Sequence, residues 1–270
     1  MSIDKKGFLS NELENWRKKN NKNFEVYFKL FFDHNDFAQN LAFQLNIHND
    51  NSDELFITCL YIRSLSTYQA IFILLETGMV NEAKVLLRTL IEILFQIVAI
   101  CKNKNFSKEY ILQDSINRKK LVKKTMKWQE EIKKSKVELD LNKLLQEVEF
   151  NIKTNRIKEF KTIDYAKKAN LLDYYYTAYA LLSSTVHANS RDIESHLLFD
   201  NEGIVTSFNW VPTDNGMELL LFTGIETIYI ILLNVIEKFN VDKTMEYYNL
   251  EKRYKEQKTI YKFTHRNSKI

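Results

Sequence analysis

Two sets of residues in this 270-residue chain have the types and spacing of chemistry. Arg88 and Glu92 stand one helical turn apart in the apolar stretch VNEAKVLLRTLIEILFQIVAI, residues 80–100, so their side chains share a helix face. Charged side chains are almost never fully buried unless paired. A helix this apolar has almost no wet side, so the pair is expected inside the protein with polar partners around it. Much later, Tyr175, Tyr179, Ser183 and His187 follow at i, i+4 spacing and form one stripe, with Ser184 beside it. If that stripe meets the Arg88 helix, Arg88 is suited to hold a phosphate or carboxylate and His187 to move a proton near neutral pH. Glu92 would then balance the charge, and Tyr179, Ser183 and Ser184 would contact the ligand. The same residues also fit a purely structural role: an ion pair that ties helices together and a histidine that caps its helix end.

The second set is Arg191-Asp-Ile-Glu-Ser-His196, an Arg-x4-His spacing with an acidic residue after the arginine. It resembles the motif of the HEPN ribonucleases (higher eukaryotes and prokaryotes nucleotide-binding domains). In that superfamily the arginine and histidine cleave RNA without metal, usually across a dimer interface. The resemblance implies that Arg191 stabilises phosphorane charge, that His196 serves as acid or base, and that the chain forms a homo-oligomer with RNA as a partner. Many such proteins act in toxin–antitoxin and anti-phage systems, which implies a regulatory protein partner as well. Here the motif precedes a predicted hairpin, whereas the family's sits at a helix end. A solvated turn is the plain alternative.

A third feature is the basic run at 117–136, with Arg118, Lys119, Lys120, Lys123, Lys124 and Lys127. It would attract a nucleic-acid backbone, or it is a solvated helix face. The chain has no Walker-type loop, GxGxxG, HExxH, zinc spacing or GxSxG. His34 lies between Asp33 and Asp36, but no second cluster answers it as a metal site. No cofactor or metal is expected.

Long helices must position these residues. The chain has 5 Gly and 1 Pro, and so few turn residues exclude strand-and-turn architectures. Helices are predicted at 8–20, with Trp16 on the apolar side, and at 23–46. A polar break at 48–54 offers Ser52 or Asp53 as N-cap. The helices at 54–77 and 80–100, joined at Gly78, form an antiparallel hairpin at the centre of the fold. A charged outer helix covers 106–133, another lies near 137–153, and an irregular connection follows. Helices at 170–188, 216–239 and 242–261 complete the set. Between them, 197–211 reads as a small β-hairpin.

Hydrophobic residues make up 45% of the chain and aromatics 13%, which excludes disorder. The net charge of +4 permits nucleic-acid contact without requiring it. Cys59 and Cys101 lie in apolar runs and read as two buried thiols in a reducing cytoplasm. The N-terminal residues lack the apolar core of a signal peptide. Residues 217–236 are long enough to span a bilayer, but Glu218 and Glu226 interrupt them, so a core helix in a cytoplasmic protein, away from membranes, is expected.

Gly78, then Arg88-Thr89-Leu90-x-Glu92, then Ser184-x-x-His187 resemble a family of uncharacterised prokaryotic helical proteins known only as a domain of unknown function. The resemblance covers about 55–240. It implies an all-helical fold and a polar site built from Arg88, Glu92 and His187, without an activity. The expected fold is thus all-α: a single-domain bundle of about eight helices over 1–270, with its core at about 54–240 and one small hairpin. The expected function is a HEPN-like metal-independent endoribonuclease or abortive-infection effector. The alternative is a non-catalytic helical module that binds a protein partner or a small anionic ligand at the Arg88 site.

Overall fold

The computed structural model describes residues 6–132, 140–183, 193–194 and 196–267. The fold is all-α with one two-stranded sheet. At its centre are α3 (Ser52–Glu76) and α4 (Val80–Lys102), which pack as the expected antiparallel hairpin. The turn between them follows from Gly78. Its φ of +78° is left-handed, a region costly for residues with a Cβ. Met79 N–H donates to Leu74 O at 2.9 Å and Gly78 N–H to Leu75 O at 3.0 Å, which is a Schellman closure. A Cβ at Gly78 would also stand 2.6 Å from Pro212 Cβ, so glycine is required twice here. The α3 cap differs from expectation. Asn51 Oδ1 accepts from Glu54 N–H at 3.3 Å, while the buried Asp53 carboxylate reaches away to accept from Asn105 and Ser107 N–H at 3.0 and 3.1 Å. Asp53 therefore caps the start of α5 (Phe106–Ile132) rather than its own helix.

Helix α4 is sandwiched between α3 and α10 (Met217–Lys238). Its second half, Ile93 to Ile100, is almost wholly buried, which explains the unbroken apolar run in the sequence. Helices α1 (Leu13–Asn23) and α2 (Glu25–Ala42) wrap this centre, and Trp16 is buried as predicted. Aromatics lock α2 to α3: Phe31 stacks on Tyr68 with centroids 3.7 Å apart, and the Tyr61 and Tyr68 hydroxyls donate to Ala38 O and Phe31 O. Burying these hydroxyls is tolerable because each finds a carbonyl. Helix α11 (Met245–Asn267) closes the bundle against α2.

Helices α5 and α6 (Leu141–Thr154) form an outer layer. The connection expected to be irregular after α6 contains a further helix, α7 (Thr162–Lys168), which packs on α4. Its short length hid it from a periodicity reading. The segment before the hairpin begins with α8 (Leu172–Tyr174), widens into a π turn at Tyr175–Tyr179, and continues as α9 (Ala180–Ser183). Strands β1 (Leu197–Phe199) and β2 (Val205–Phe208) pair antiparallel, Leu197 opposite Phe208, with a bulge at Leu198/Phe199. The expectation of two buried thiols is corrected: Cys59 is exposed, because it falls on the outer face of α3. Cys101 is largely enclosed, and burial pushes its thiol up to about 12. Helices α3 and α10 are long and apolar enough to cross a bilayer by length and composition alone, but 72% of the α10 window is buried inside the protein.

Candidate functional site

Helix α4 positions the first set. Arg88 Nη2 lies 3.1 Å from Glu92 Oε1 and donates to the Tyr179 hydroxyl at 2.7 Å. Tyr179 in turn donates to Glu92 Oε1 at 2.8 Å, and Arg88 Nε donates to Ser183 Oγ at 3.3 Å. The guanidinium carbon stands 4.9 Å from the Tyr179 ring centroid, a cation–π distance. The predicted stripe therefore does meet the Arg88 helix, at Tyr179 and Ser183. Tyr179 is the last residue of the π turn, and Ser183 lies one turn further on, in α9. Burial raises the Tyr179 phenol above its ordinary value, and the Glu92 carboxylate adds to the effect. Full burial of the pair does not occur: the Arg88 and Glu92 side chains are 24% and 30% exposed. Helix α4 has a wet side after all, with Glu82 and Val85 exposed on it, and these two residues form part of a half-buried strip along it.

The strip continues toward the helix start. Asn81, Lys84, Arg88 and Glu92 fall at i, i+3, i+7 and i+11, one face of a helix. Lys84 Nζ donates to Asn81 Oδ1 at 2.9 Å, and Asn81 Nδ2 lies 3.4 Å from His196 Nε2. His196 Nδ1 is 3.1 Å from Asn209 O. A carbonyl only accepts, so Nδ1 carries the proton and Nε2 keeps its lone pair. Asn81, Lys84, His196, Asn209 and Trp210 line an open cleft of about 130 Å³. Trp210 is 67% exposed at its edge. Asn81, Lys84 and Trp210 were missed by sequence reasoning. The i, i+3, i+7 spacing could have shown the first two, whereas Trp210 gave no signal.

The remaining candidates separate. His187, Arg191 and Ser184 lie outside the described residues. Arg118 stands on the α5–α6 face, bonded to Asp114 of its own helix at 2.5 Å. Its basic neighbours are mostly paired: Lys119 and Lys123 with Glu149, Lys120 with Glu159, Lys127 with Glu131. That surface is a salt-bridged helix face rather than a bare cationic patch. Among the described residues no group of three or more His, Cys, Asp and Glu is placed to hold a metal ion.

Fold and site together define an all-helical protein whose central helix carries a polar ridge from Asn81 to Glu92, met by a tyrosine from a π turn and by a histidine from a hairpin. The chain belongs to a family of unknown function, DUF5677, whose model matches residues 54–204, more than half of it. The match includes Arg88, Glu92, Tyr179, Ser183 and His196. No curated protein and no solved structure matches the chain.

Proposed function

We propose that the α4 ridge is the site of a metal-independent endoribonuclease, of HEPN-like chemistry, in a homo-oligomeric effector. The observation that carries this reading is the convergence of His196, Asn81 and Lys84 on one open cleft, with the His196 tautomer fixed by Asn209 O. His196 Nε2 is a base suited to take the proton of a ribose 2′-hydroxyl. The 2′-oxygen then bonds to phosphorus, the bond to the 5′-oxygen breaks, and that oxygen takes a proton from water. The Lys84 ammonium stabilises the charge that builds on the phosphoryl oxygens. Trp210 offers a face on which a base can stack. Arg88 stands four residues beyond Lys84, about 6 Å along the axis, where it meets the neighbouring phosphate. Arg88 and His196 thus serve different phosphates rather than one.

The full chain incubated with single-stranded RNA in EDTA should yield 2′,3′-cyclic phosphate ends. His196→Ala should cut the rate at least a hundredfold, the usual contribution of a positioned acid or base, and Lys84→Ala should reduce it comparably. Cleavage unchanged in both variants sinks the proposal.

One observation favours a second reading, a non-catalytic module for an anionic ligand or protein partner. Glu92, Tyr179 and Ser183 already engage Arg88, which suits holding a bound group better than turning one over. RNA bound but never cut, with binding lost in Arg88→Ala and kept in His196→Ala, would establish it.

A further inference from the structure

A second concavity lies apart from the His196 cleft. It is bounded by the π turn and α9 on one side and by α10 and α11 on the other, and it is a half-open hollow of about 500 Å³. Ala178, Leu181, Leu182 and Leu219 line it, and Phe222 and Tyr261, stacked with centroids 4.7 Å apart, form an aromatic wall. A volume of this size, apolar walls and a few convergent polar groups are the common features of small-molecule sites.

The polar groups are Glu226 of α10 and Lys258 of α11. Glu226 Oε1 accepts from the Tyr254 hydroxyl at 2.9 Å and from Lys258 Nζ at 2.5 Å. Lys258 also donates to the Tyr254 oxygen at 3.1 Å. The pair carries no net charge, so a ligand with a formal charge meets no complementary one. Glu226 Oε2 accepts no hydrogen bond from any described residue. The Glu226 side chain is partly exposed, so this oxygen is open to a donor from outside the protein. The opposite wall is built by Thr177 and Ala178 of the π turn, the same turn that presents Tyr179 to Arg88 on its other side.

We propose that this cavity binds a neutral, mainly apolar aromatic molecule that donates one N–H or O–H hydrogen bond to Glu226 Oε2. The ligand's rings lie against Phe222 and Tyr261, and its donor points to Glu226. The site is separate from the ribonuclease reading and stands or falls without it.

The test uses the full chain and N-phenyl-1-naphthylamine, an uncharged probe of two aromatic parts joined by one N–H. Its fluorescence should rise saturably with one probe per chain. Ala178→Phe, which fills the cavity from a half-buried position, should weaken binding at least tenfold with an unchanged circular dichroism spectrum. Leu181→Trp, from an exposed rim position, should do the same and stands in if the first variant fails to fold. The sulfonated relative 1-anilinonaphthalene-8-sulfonate should bind at least tenfold more weakly. Phe208→Ser, on the exposed hairpin, should leave the signal intact. Absence of saturable binding, indifference to both filling variants, tighter binding of the sulfonate, or loss of signal in Phe208→Ser would each overturn the proposal.

Discussion

Glu92 on α4 and Glu226 on α10 are held by the same kind of trio in different settings. Each accepts from a tyrosine hydroxyl, Tyr179 at 2.8 Å and Tyr254 at 2.9 Å. Each is paired with a cation that also lies over that tyrosine ring, Arg88 at 4.9 Å and Lys258 at 5.5 Å. The cations have different origins. Arg88 comes from Glu92's own helix, so that pair forms whenever α4 forms. Lys258 comes from α11, so that pair exists only once α11 has docked. The first trio opens on a polar ridge and is available for charge chemistry. The second sits between an apolar cavity and the core, and it fastens one helix to another. The contrast teaches that a carboxylate, a cation and a tyrosine do not define a role. Where the cation comes from, and what the trio faces, decides it.

The largest effect should appear on the α10–α11 side and in acid. His34 of α2 is fully buried, with its ring 6.3 Å from Tyr254 and 6.2 Å from Tyr229. Its Nδ1 donates to Leu30 O at 2.8 Å, and Nε2 has no partner among the described residues. Burial holds its pKa down at about 4, with Arg253 pushing the same way and the Leu30 bond and Asp33 opposing. The folded value lies below the unfolded one of about 6.5, so protonation favours unfolding. Stability from this group is complete above pH 6.5 and is lost as pH falls toward 4, a loss of about 3 kcal/mol by linkage. Urea midpoints measured between pH 7 and 4 should fall steeply in the wild type and more gently in His34→Leu. Equal slopes would show that acid acts elsewhere, and the α10–α11 side would lose its distinction.

The features that set these two regions apart were unequally legible in the sequence. The α3–α4 hairpin was plain, because Gly78 and two long apolar runs leave little choice. The i, i+4 spacing places Tyr179 and Ser183 on one stripe, but it does not show that the stripe meets Arg88, nor how deep the pair lies. The first half of α4 carries Asn81, Glu82, Lys84, Arg88, Thr89 and Glu92 on one side that reaches solvent, and the apolar mean of the helix concealed it. The Glu226–Lys258 bond could not be read, since it depends on how α11 packs, and the charged pattern of 242–261 is compatible with several rotations about its axis. The π turn also left no mark, because the i, i+4 stripe of tyrosines fits an ordinary helix equally well. Cys59 was misplaced for a related reason: on a helix apolar nearly all round, composition does not say which strip is outermost.

Next in size is the direct contrast of the two carboxylates. Glu226→Ala removes the carboxylate that Tyr254 and Lys258 share. A fully buried pair broken this way costs ~3–5 kcal/mol. The Lys258 side chain is 35% exposed, so about 2 kcal/mol is expected. Glu92→Ala leaves Arg88 free to turn toward water, and intrahelical pairs are weak, so the expected loss is about 1 kcal/mol or less. Urea unfolding of the two variants at pH 7 decides the matter. Losses of the same size would mean that the origin of the cation is irrelevant, and the distinction between clamp and site would fail.

The smallest effect on stability should come from a residue whose proposed effect on activity is as large as that of His196. Lys84 is a half-buried side chain outside the hydrophobic core, and truncating such a residue ordinarily changes stability within about 0.5 kcal/mol. Lys84→Ala should therefore unfold at the wild-type urea concentration. Lys84→Arg keeps the charge but carries it on a planar fork that spreads its donors differently, so it should retain part of any RNA cleavage that Lys84→Ala abolishes. That pattern, unchanged stability with graded activity, belongs to a group that meets substrate charge. If Lys84→Ala instead loses as much stability as Glu226→Ala, the ridge is a clamp like the one on α10, and the two regions differ only in where they lie.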